Sequence, residues 1–346
     1  GVMLTHDNVA SQIEAIQQAV QLNEHDVAMG ILPFFHLYGY TATLWTVLAL
    51  VPRGVYHFDP RDAHQVGKLC AKYGVTVFMA TPTFLRIYLR RVQPTDFKTL
   101  DSVFGAAEKL PKELSDAFEA RFGMRPYEAY GCTELSPLVA VNVPPSRNRD
   151  SSKPSAREGT VGRPIPGVRA KVVHLETGED LPTGETGMLL VTGPNVMKGY
   201  LKQPELTAKV IRDGWYVTGD VARIDADGFI EITGRESRFS KIGGEMVPHL
   251  KIEEALQQVL GGDEEHMMAV VTAVPDQFKG ERLVVMHIPV EKKPEQIRKD
   301  LAAAGLPNLW IPAADSFCEV PEIPVLGTGK LDLRALKELA LAKFSG

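Results

Sequence analysis

Apolar positions in the first third of the chain follow two periods in turn. Val9, Ile13, Ile16 and Val20 recur at helical spacing behind Asp7, a residue type that caps helices. Val27 to Leu32 and Gly54 to Phe58 are short runs with strand character, and Asp59-Pro60 breaks the chain before a helical pattern over Arg61 to Tyr73. Val75 to Ala80 reads as a buried strand and Asp101 to Ala106 as another. Lys112 to Phe122 reads as a helix, and Pro126 to Tyr130 as a short strand with proline in its first position. Helices and strands alternating in this way predict βαβ units and a largely parallel sheet. Ligands of such sheets gather at the carboxyl ends of the strands.

Beyond Tyr130 the pattern changes. Ser146 to Glu158 is polar and reads as a mobile loop. From Gly159 to Thr233 short β-rich runs are punctuated by glycine and proline: Arg169 to Leu175, Met188 to Thr192, Val221 to Asp225 and Phe229 to Thr233. Asp225-Ala226-Asp227-Gly228 reads as a hairpin turn between the last two. A small antiparallel barrel or sheet packed on the first layer follows. The last part reads as an α+β module. Lys251 to Leu260 is an amphipathic helix stopped by Gly261-Gly262, Met267 to Val274 and Leu283 to Pro289 are strands, and Glu295 to Ala304 is a helix. Asp332 caps a final helix with Leu333, Leu336, Leu339 and Ala340 inward.

Composition narrows the function classes. A chain of 346 residues with 44% hydrophobic and 23% charged residues suits two or three globular domains. The net charge of -5 carries no basic excess, so nucleic acid is not an expected partner. Cys70, Cys132 and Cys318 form no CxxC pair, which argues against a disulfide framework or a zinc site and fits a reducing cytoplasm. The longest apolar run, around Tyr40 to Val51, falls well short of the roughly 20 residues of a membrane span. Gly1-Val2-Met3-Leu4-Thr5-His6 has no basic leader or signal-peptide character. It reads as an entry into the middle of a fold, and the chain is expected to be a fragment of a longer protein.

Four motifs carry candidate chemistry. In Ala129-Tyr130-Gly131-Cys132-Thr133-Glu134 a strand end meets a glycine that lets backbone approach a ligand, then a hydroxyl and a carboxylate. The Thr133 hydroxyl can donate to a phosphate oxygen and Glu134 can hold Mg²⁺, a cation that takes oxygen ligands; the same pair also reads as a helix cap. In Trp215-Tyr216-Val217-Thr218-Gly219-Asp220 an acidic residue after a turn can accept both ribose hydroxyls of a nucleotide, or satisfy nearby backbone amides. Thr233-Gly234-Arg235 with Ser240-Lys241-Ile242-Gly243-Gly244-Glu245 sets glycines on both sides of a charged segment. Such glycines permit a backbone swing, and Arg235 can serve phosphate or ribose as a fork donor; a solvated inter-domain connection is the alternative. In Gly327-Thr328-Gly329-Lys330-Leu331-Asp332 a lysine between a glycine and a helix start can reach into a cleft, or remain a surface lysine. GxxxxGK[ST] is not matched there.

Taken together, the order and spacing of these motifs resemble the adenylate-forming superfamily of acyl-CoA synthetases, luciferases and peptide-synthetase adenylation domains, over essentially the whole chain. Gly1 to His6 is similar to the tail of that family's phosphate loop, whose glycines and lysine lie upstream. Leu32-Pro33-Phe34-Phe35-His36 resembles the aromatic segment beside the acyl pocket, and Gly105-Ala106-Ala107-Glu108 the turn that packs on adenine. Within the superfamily, four segments resemble the acyl-[acyl-carrier-protein] synthetase part of the bifunctional 2-acylglycerophosphoethanolamine acyltransferases. They are Ser237 to His249, Pro82 to Arg86, Pro194 to Tyr200 and Gly305 to Pro312. Those multifunctional enzymes of phospholipid metabolism carry an acyltransferase domain N-terminal to the synthetase, which this chain would lack.

The resemblance implies an α/β fold: a mainly parallel βαβ sheet layer (1–145), a small antiparallel β subdomain (146–234) and a mobile C-terminal α+β domain (235–346). It implies an acid-thiol ligase that uses ATP and Mg²⁺ to convert a fatty acid to acyl-AMP and then to a thioester. The thiol is that of acyl carrier protein or, in the alternative, CoA. A non-catalytic nucleotide-binding fragment is the reading from a different class. By the same resemblance Lys330, Thr133 and Glu134 are catalytic, with Thr133 on phosphate, Glu134 on the metal, and Lys330 between the substrate carboxylate and phosphate. Gly105, Ala106, Ala107, Tyr130, Asp220, Arg235 and Lys241 bind the nucleotide, Asp220 at the ribose. His36 and Gly131 line the substrate pocket, His36 as a gate or as an imidazole packed among Phe34, Phe35 and Tyr38. Ser237 is the hinge, where the family usually has Asp or Lys, about which Lys330 leaves and the Lys241 to Gly244 loop arrives. The expected location is cytoplasmic, with membrane association only through parent domains outside this chain.

Overall fold

Thr5, not Asp7, opens the first helix, His6–Val20. A capping box needs a polar side chain three residues after the cap, and Asn8 supplies it: Asn8 N donates to Thr5 Oγ1 at 3.1 Å and Thr5 N to Asn8 Oδ1 at 2.9 Å. Asp7 sits in the first turn, where a negative charge suits the helix dipole. The computed structural model describes residues 1–50, 53–148, 152–262, 267–325 and 331–344. They form two compact units, Gly1–Thr233 and Gly234–Gly346. No described helix is long and apolar enough to cross a membrane.

In the first unit a seven-stranded sheet runs in the spatial order Arg53–Tyr56, Val27–Gly30, Val77–Ala80, Ser102–Gly105, Tyr127–Gly131, Leu138–Val141, Arg163–Pro164. The first five strands are parallel, Leu138–Val141 is antiparallel to Tyr127–Gly131, and Arg163–Pro164 is antiparallel to Leu138–Val141. Helices Ala63–Tyr73 and Lys112–Phe122 form as the periodicity predicts. Helix Pro82–Arg91 is an addition, capped by the Thr81 side chain with Pro82 in its first turn. Leu85 and Tyr88 of that helix join Phe78, Phe97 and Phe118 in a core of rings and aliphatics.

An antiparallel five-stranded sheet follows: Ile211–Arg212, Trp215–Ile224, Thr186–Thr192 and Arg169–Val173, with Ile230–Arg235 also on Trp215–Ile224. It is an open sheet, and Leu189, Val191, Ala222 and Ile230 share a core with Ala129, Val139 and Ile16 of the first layer. The hairpin turn at Asp225 forms, with Asp225 Oδ1 accepting from the N–H groups of Asp227 and Phe229 at 2.9 Å each. A fold with one parallel sheet and antiparallel sheets is thus the α/β class expected.

The segment from Ser146 to Glu158 differs from a solvated, mobile loop in its described residues. Arg147 is buried in a 3₁₀ turn at the amino ends of the parallel strands. Its guanidinium reaches Asp26 Oδ1 at 2.6 Å and Asp101 Oδ1 at 2.9 Å, and its Nε donates to Ser102 Oγ at 2.7 Å. Farther along, Arg157 pairs with Asp225 and Asp227 and lies over the Phe229 ring. Within this otherwise largely exposed segment Arg147 alone of the described residues is buried, a charge pairing that periodicity does not reveal.

The second unit has a five-stranded sheet: Glu245–Pro248, Phe239–Ile242, Gly280–His287 and Ala269–Asp276 in order, with Phe317–Glu319 parallel to Gly280–His287. Helices His249–Leu260, Pro294–Ala303 and Leu333–Phe344 pack on it. Asp332 Oδ1 accepts from Ala335 N at 3.0 Å, the cap its type and position predict.

Candidate functional site

Tyr127–Gly131 is the last parallel strand, and beyond its carboxyl end the chain turns at once. Gly131 is required there by its own chain: a Cβ would lie 2.1 Å from the Pro137 carbonyl oxygen. The close approach expected to favour a ligand is therefore to backbone of the same loop, with Cys132 N donating to Pro137 O at 3.0 Å. Thr133 to Leu135 form a 3₁₀ turn that leaves Thr133 exposed and Glu134 half-buried. Glu134 is held by one distant segment at two points. Met197 N donates to its carbonyl oxygen at 2.8 Å, and the Tyr200 hydroxyl donates to its Oε1 at 2.8 Å.

Asp220 does not follow a turn. Tyr216 to Gly219 lie inside the strand Trp215–Ile224, where the register against Thr186–Thr192 slips in a bulge between the pairs Leu190–Val217 and Met188–Val221. Gly219 takes φ 73°, which glycine adopts without strain. Thr218 closes the bulge: its hydroxyl donates to Leu189 O at 2.8 Å and accepts from Asp220 N at 3.0 Å. Asp220 is thereby turned inward, 2% exposed, and accepts a short hydrogen bond from the Tyr130 hydroxyl. Burial, and then the charge of Asp220, push the Tyr130 phenol well above its ordinary range, so it stays a donor. That bond joins the two motifs across 90 residues of chain.

Gly105, Ala106 and Ala107 end the neighbouring strand. Ala106 is buried, and Ala107 is exposed with φ 72°. Glu108 caps helix Pro82–Arg91, accepting from Thr83 Oγ1 at 2.7 Å. Level with Gly105 in the sheet stands Glu128, whose Oε1 accepts from Leu110 N at 3.2 Å. Burial pushes its carboxyl up to about 7, against that hydrogen bond. His36 is exposed and its Nδ1 accepts from Tyr38 N at 3.2 Å. Phe35 beside it is 95% exposed and Phe34 44%.

The other expected site residues lie in the second unit, Gly234–Gly346. Arg235 is exposed and closes the Ile230–Arg235 strand. Ser237 is exposed in the 3₁₀ turn Glu236–Arg238, just past the division between the units. Lys241 is exposed in Phe239–Ile242 and its backbone N–H donates to Glu281 at 2.8 Å. Gly243 and Gly244, expected to permit a swing, are the two central residues of a tight hairpin with φ 59° and 93°, a turn that requires both to be left-handed. Lys330 lies outside the described residues.

Sequence reasoning missed Tyr200, Tyr216 and Glu128. Tyr216, Thr218 and Asp220 recur at period two, a signal that could have placed them on one face. Tyr216 is buried, with its phenol near Tyr200 and Glu134.

Comparison with known proteins decides the family. The model of the family described as AMP-binding enzyme matches residues 1–201. This chain belongs to the AMP-binding enzymes. Among AMP-binding enzymes it is 33% identical to the long-chain-fatty-acid–CoA ligase of Bacillus subtilis (strain 168), covering 98% of this chain and 59% of the relative. It is 30% identical to a probable CoA ligase of Humulus lupulus, covering 100% of this chain and 64% of the relative. ATP-bound MatB from Rhodopseudomonas palustris superposes with TM-score 0.79 at 28% identity over 98% of this chain and 65% of that one. The chain thus spans 59% to 65% of the length of these relatives.

Among the described residues no group of three or more His, Cys, Asp or Glu could hold a metal ion. Mg²⁺ does not need one, since it is usually bound through one or two carboxylates together with substrate phosphates. The half-buried Glu134 carboxylate beside the exposed Thr133 hydroxyl fits that mode.

Proposed function

We propose that the protein is an ATP-dependent acid-thiol ligase acting on a fatty acid. A carboxylate oxygen attacks the α-phosphorus of ATP and the bond to the β-phosphate breaks, giving acyl-AMP and pyrophosphate. A thiol sulfur then attacks the acyl carbonyl, loses its proton and displaces AMP. The observation that carries the reading is the joined cluster at the strand ends, Tyr130 on Asp220 and Tyr200 on Glu134. Family membership supports the same reading.

In this reading Asp220 accepts the ribose hydroxyls, and the turn from Gly105 to Ala107 and the Tyr130 ring flank the adenine. Thr133 donates to phosphate. Glu134 would hold Mg²⁺, which offsets the negative charge gathered on the phosphates. Arg235 stands near the ribose, Lys330 bridges carboxylate and phosphate during adenylation, and the C-terminal unit then turns about Ser237, withdrawing Lys330 and bringing in the Lys241 to Gly244 loop for the second half-reaction. His36 stands by the acyl pocket.

CoA is the acceptor that the names of the relatives favour. Acyl carrier protein is the second reading, favoured by the segments Ser237 to His249 and Gly305 to Pro312. Acid-dependent ATP–pyrophosphate exchange by the full natural protein tests the first half-reaction, and thioester formation with CoA against carrier protein separates the acceptors. Lys330→Ala is expected to slow exchange about 10²- to 10³-fold, the scale of one preorganised donor, while sparing thioester formation from preformed acyl-AMP. Asp220→Ala is expected to weaken AMP at least about tenfold by calorimetry, the scale of a lost charged hydrogen bond. Equal loss in both half-reactions, or unchanged AMP affinity, would remove the respective role.

A further inference from the structure

Glu134 owes its position to a segment remote in sequence. Pro194 to Tyr200 runs beside it, with Asn195 fully buried and bonded to Leu135 O at 3.0 Å, and with Asn195 O accepting from Ser136 Oγ at 2.8 Å. The first helix holds the same segment, because Asn8 Nδ2 donates to Pro194 O at 2.6 Å and to Val196 O at 2.9 Å. Gly199–Tyr200 pairs antiparallel with Val2–Met3, fixed further by Lys198 N on Met3 O at 2.9 Å and Leu201 N on Gly1 O at 2.8 Å. The ring bearing the hydroxyl that meets Glu134 is thus anchored through its own backbone.

We infer that Tyr200 is a positioning residue for the metal-binding carboxylate, presenting Glu134 to a divalent cation. The argument is geometric. A half-buried carboxylate on a short turn has several rotamers open to it. A hydroxyl donor at 2.8 Å on Oε1 selects one of them and directs Oε2 to the partner it lacks. Among the described residues no Lys, Arg or His forms a salt bridge with Glu134. The donor on Oε1 is a neutral phenol, which orients the group without neutralising it. The Val2–Met3 pairing places the chain that leads into the first helix on the same support, so both are set by one ribbon.

This inference rests on the reading of the site given above, and Mn²⁺ binding measured by electron paramagnetic resonance in the presence of ATP distinguishes the two. In the full natural protein, Tyr200→Phe is expected to weaken Mn²⁺ about tenfold, the scale of losing an outer partner of a metal ligand, with AMP affinity in the absence of metal unchanged. Thr207→Val removes the hydroxyl that accepts from Tyr200 N at 2.9 Å and is expected to weaken Mn²⁺ by less than Tyr200→Phe does. It serves equally if Tyr200→Phe does not fold. Unchanged Mn²⁺ affinity in the folded variants overturns the inference alone. Absence of nucleotide-dependent Mn²⁺ binding in the unsubstituted protein overturns the reading of the site, and the inference with it.

Discussion

At the amino ends of the parallel strands Arg147 meets Asp26 and Asp101, while at the carboxyl ends Glu134 and Asp220 meet the hydroxyls of Tyr200 and Tyr130. Both regions fix carboxylates within the same unit. In the first the partner is a cation, so each charge is consumed inside the chain and the cluster is structural. In the second the named partners are phenol hydroxyls, neutral donors that hold geometry. Under the function proposed above, the choice of arginine or tyrosine beside a carboxylate separates a brace from a site.

The contrast breaks most plainly at Arg147. Arg147→Met would leave Asp26 buried without its cation, and unfolding in urea is expected to show a loss of about 3–5 kcal/mol. A loss under about 1 kcal/mol, the value of an exposed pair, would show that the cluster does not brace the sheet.

Titration sharpens the comparison because the two ends respond with opposite sign. Burial alone would raise Asp26, but hydrogen bonds from Arg147, the Asn23 backbone and Thr76 outweigh it and hold the carboxyl below its ordinary range. Its stabilisation is present above the unfolded value of 3.8 and is lost as pH falls through the lower folded value. Glu128 is raised from 4.5 to about 7, so its stabilisation is present below 4.5 and is lost as pH rises through about 7. Glu128→Gln should therefore gain stability relative to the unsubstituted protein across that window, by about 3 kcal/mol at its upper end. A difference that does not vary with pH would show that Glu128 ionises freely.

Smaller effects follow at the tyrosine end. Tyr130→Phe removes one donor from buried Asp220 and is expected to cost about 1–2 kcal/mol in thermal unfolding, with a visible loss of AMP affinity; stability changed without any loss of affinity would make the pair merely structural. Asn8→Ala strips donors from two carbonyls of the Pro194–Tyr200 segment and should cost about 1 kcal/mol. Hydrogen exchange at Tyr200 would rise if that segment is held as described.

Much of the layering was legible because periodicity follows backbone geometry. The strands at Val77 and Ser102 and the helices at Ala63 and Lys112 arise where apolar spacing put them. Boundaries moved where a local hydrogen bond won, as at Thr5, or where a bulge carried a strand through residues of turn type, as at Thr218 and Gly219. Motif order exposed Tyr130, Thr133, Glu134 and Asp220 as candidates. The partners that set their geometry stayed hidden, since Tyr200 lies 66 residues from Glu134 and Arg147 lies 121 from Asp26. No local pattern encodes such a meeting.

The loop from Gly131 to Leu138 is a small closed ring. Cys132 N reaches Pro137 O, Leu135 N reaches Cys132 O, Thr41 Oγ1 fastens Ser136 O at 3.1 Å from outside, and Gly131 admits no side chain at the seam. A ring of this kind tolerates exchange of side chains on its rim far better than a change in its number of atoms. Descendants of this sequence are therefore not free to insert or delete a residue between Tyr130 and Leu138. The fixed spacing of the motif is in that sense a record of ring size, and an engineered insertion there would unseat Thr133 and Glu134 together while leaving the sheet beneath intact.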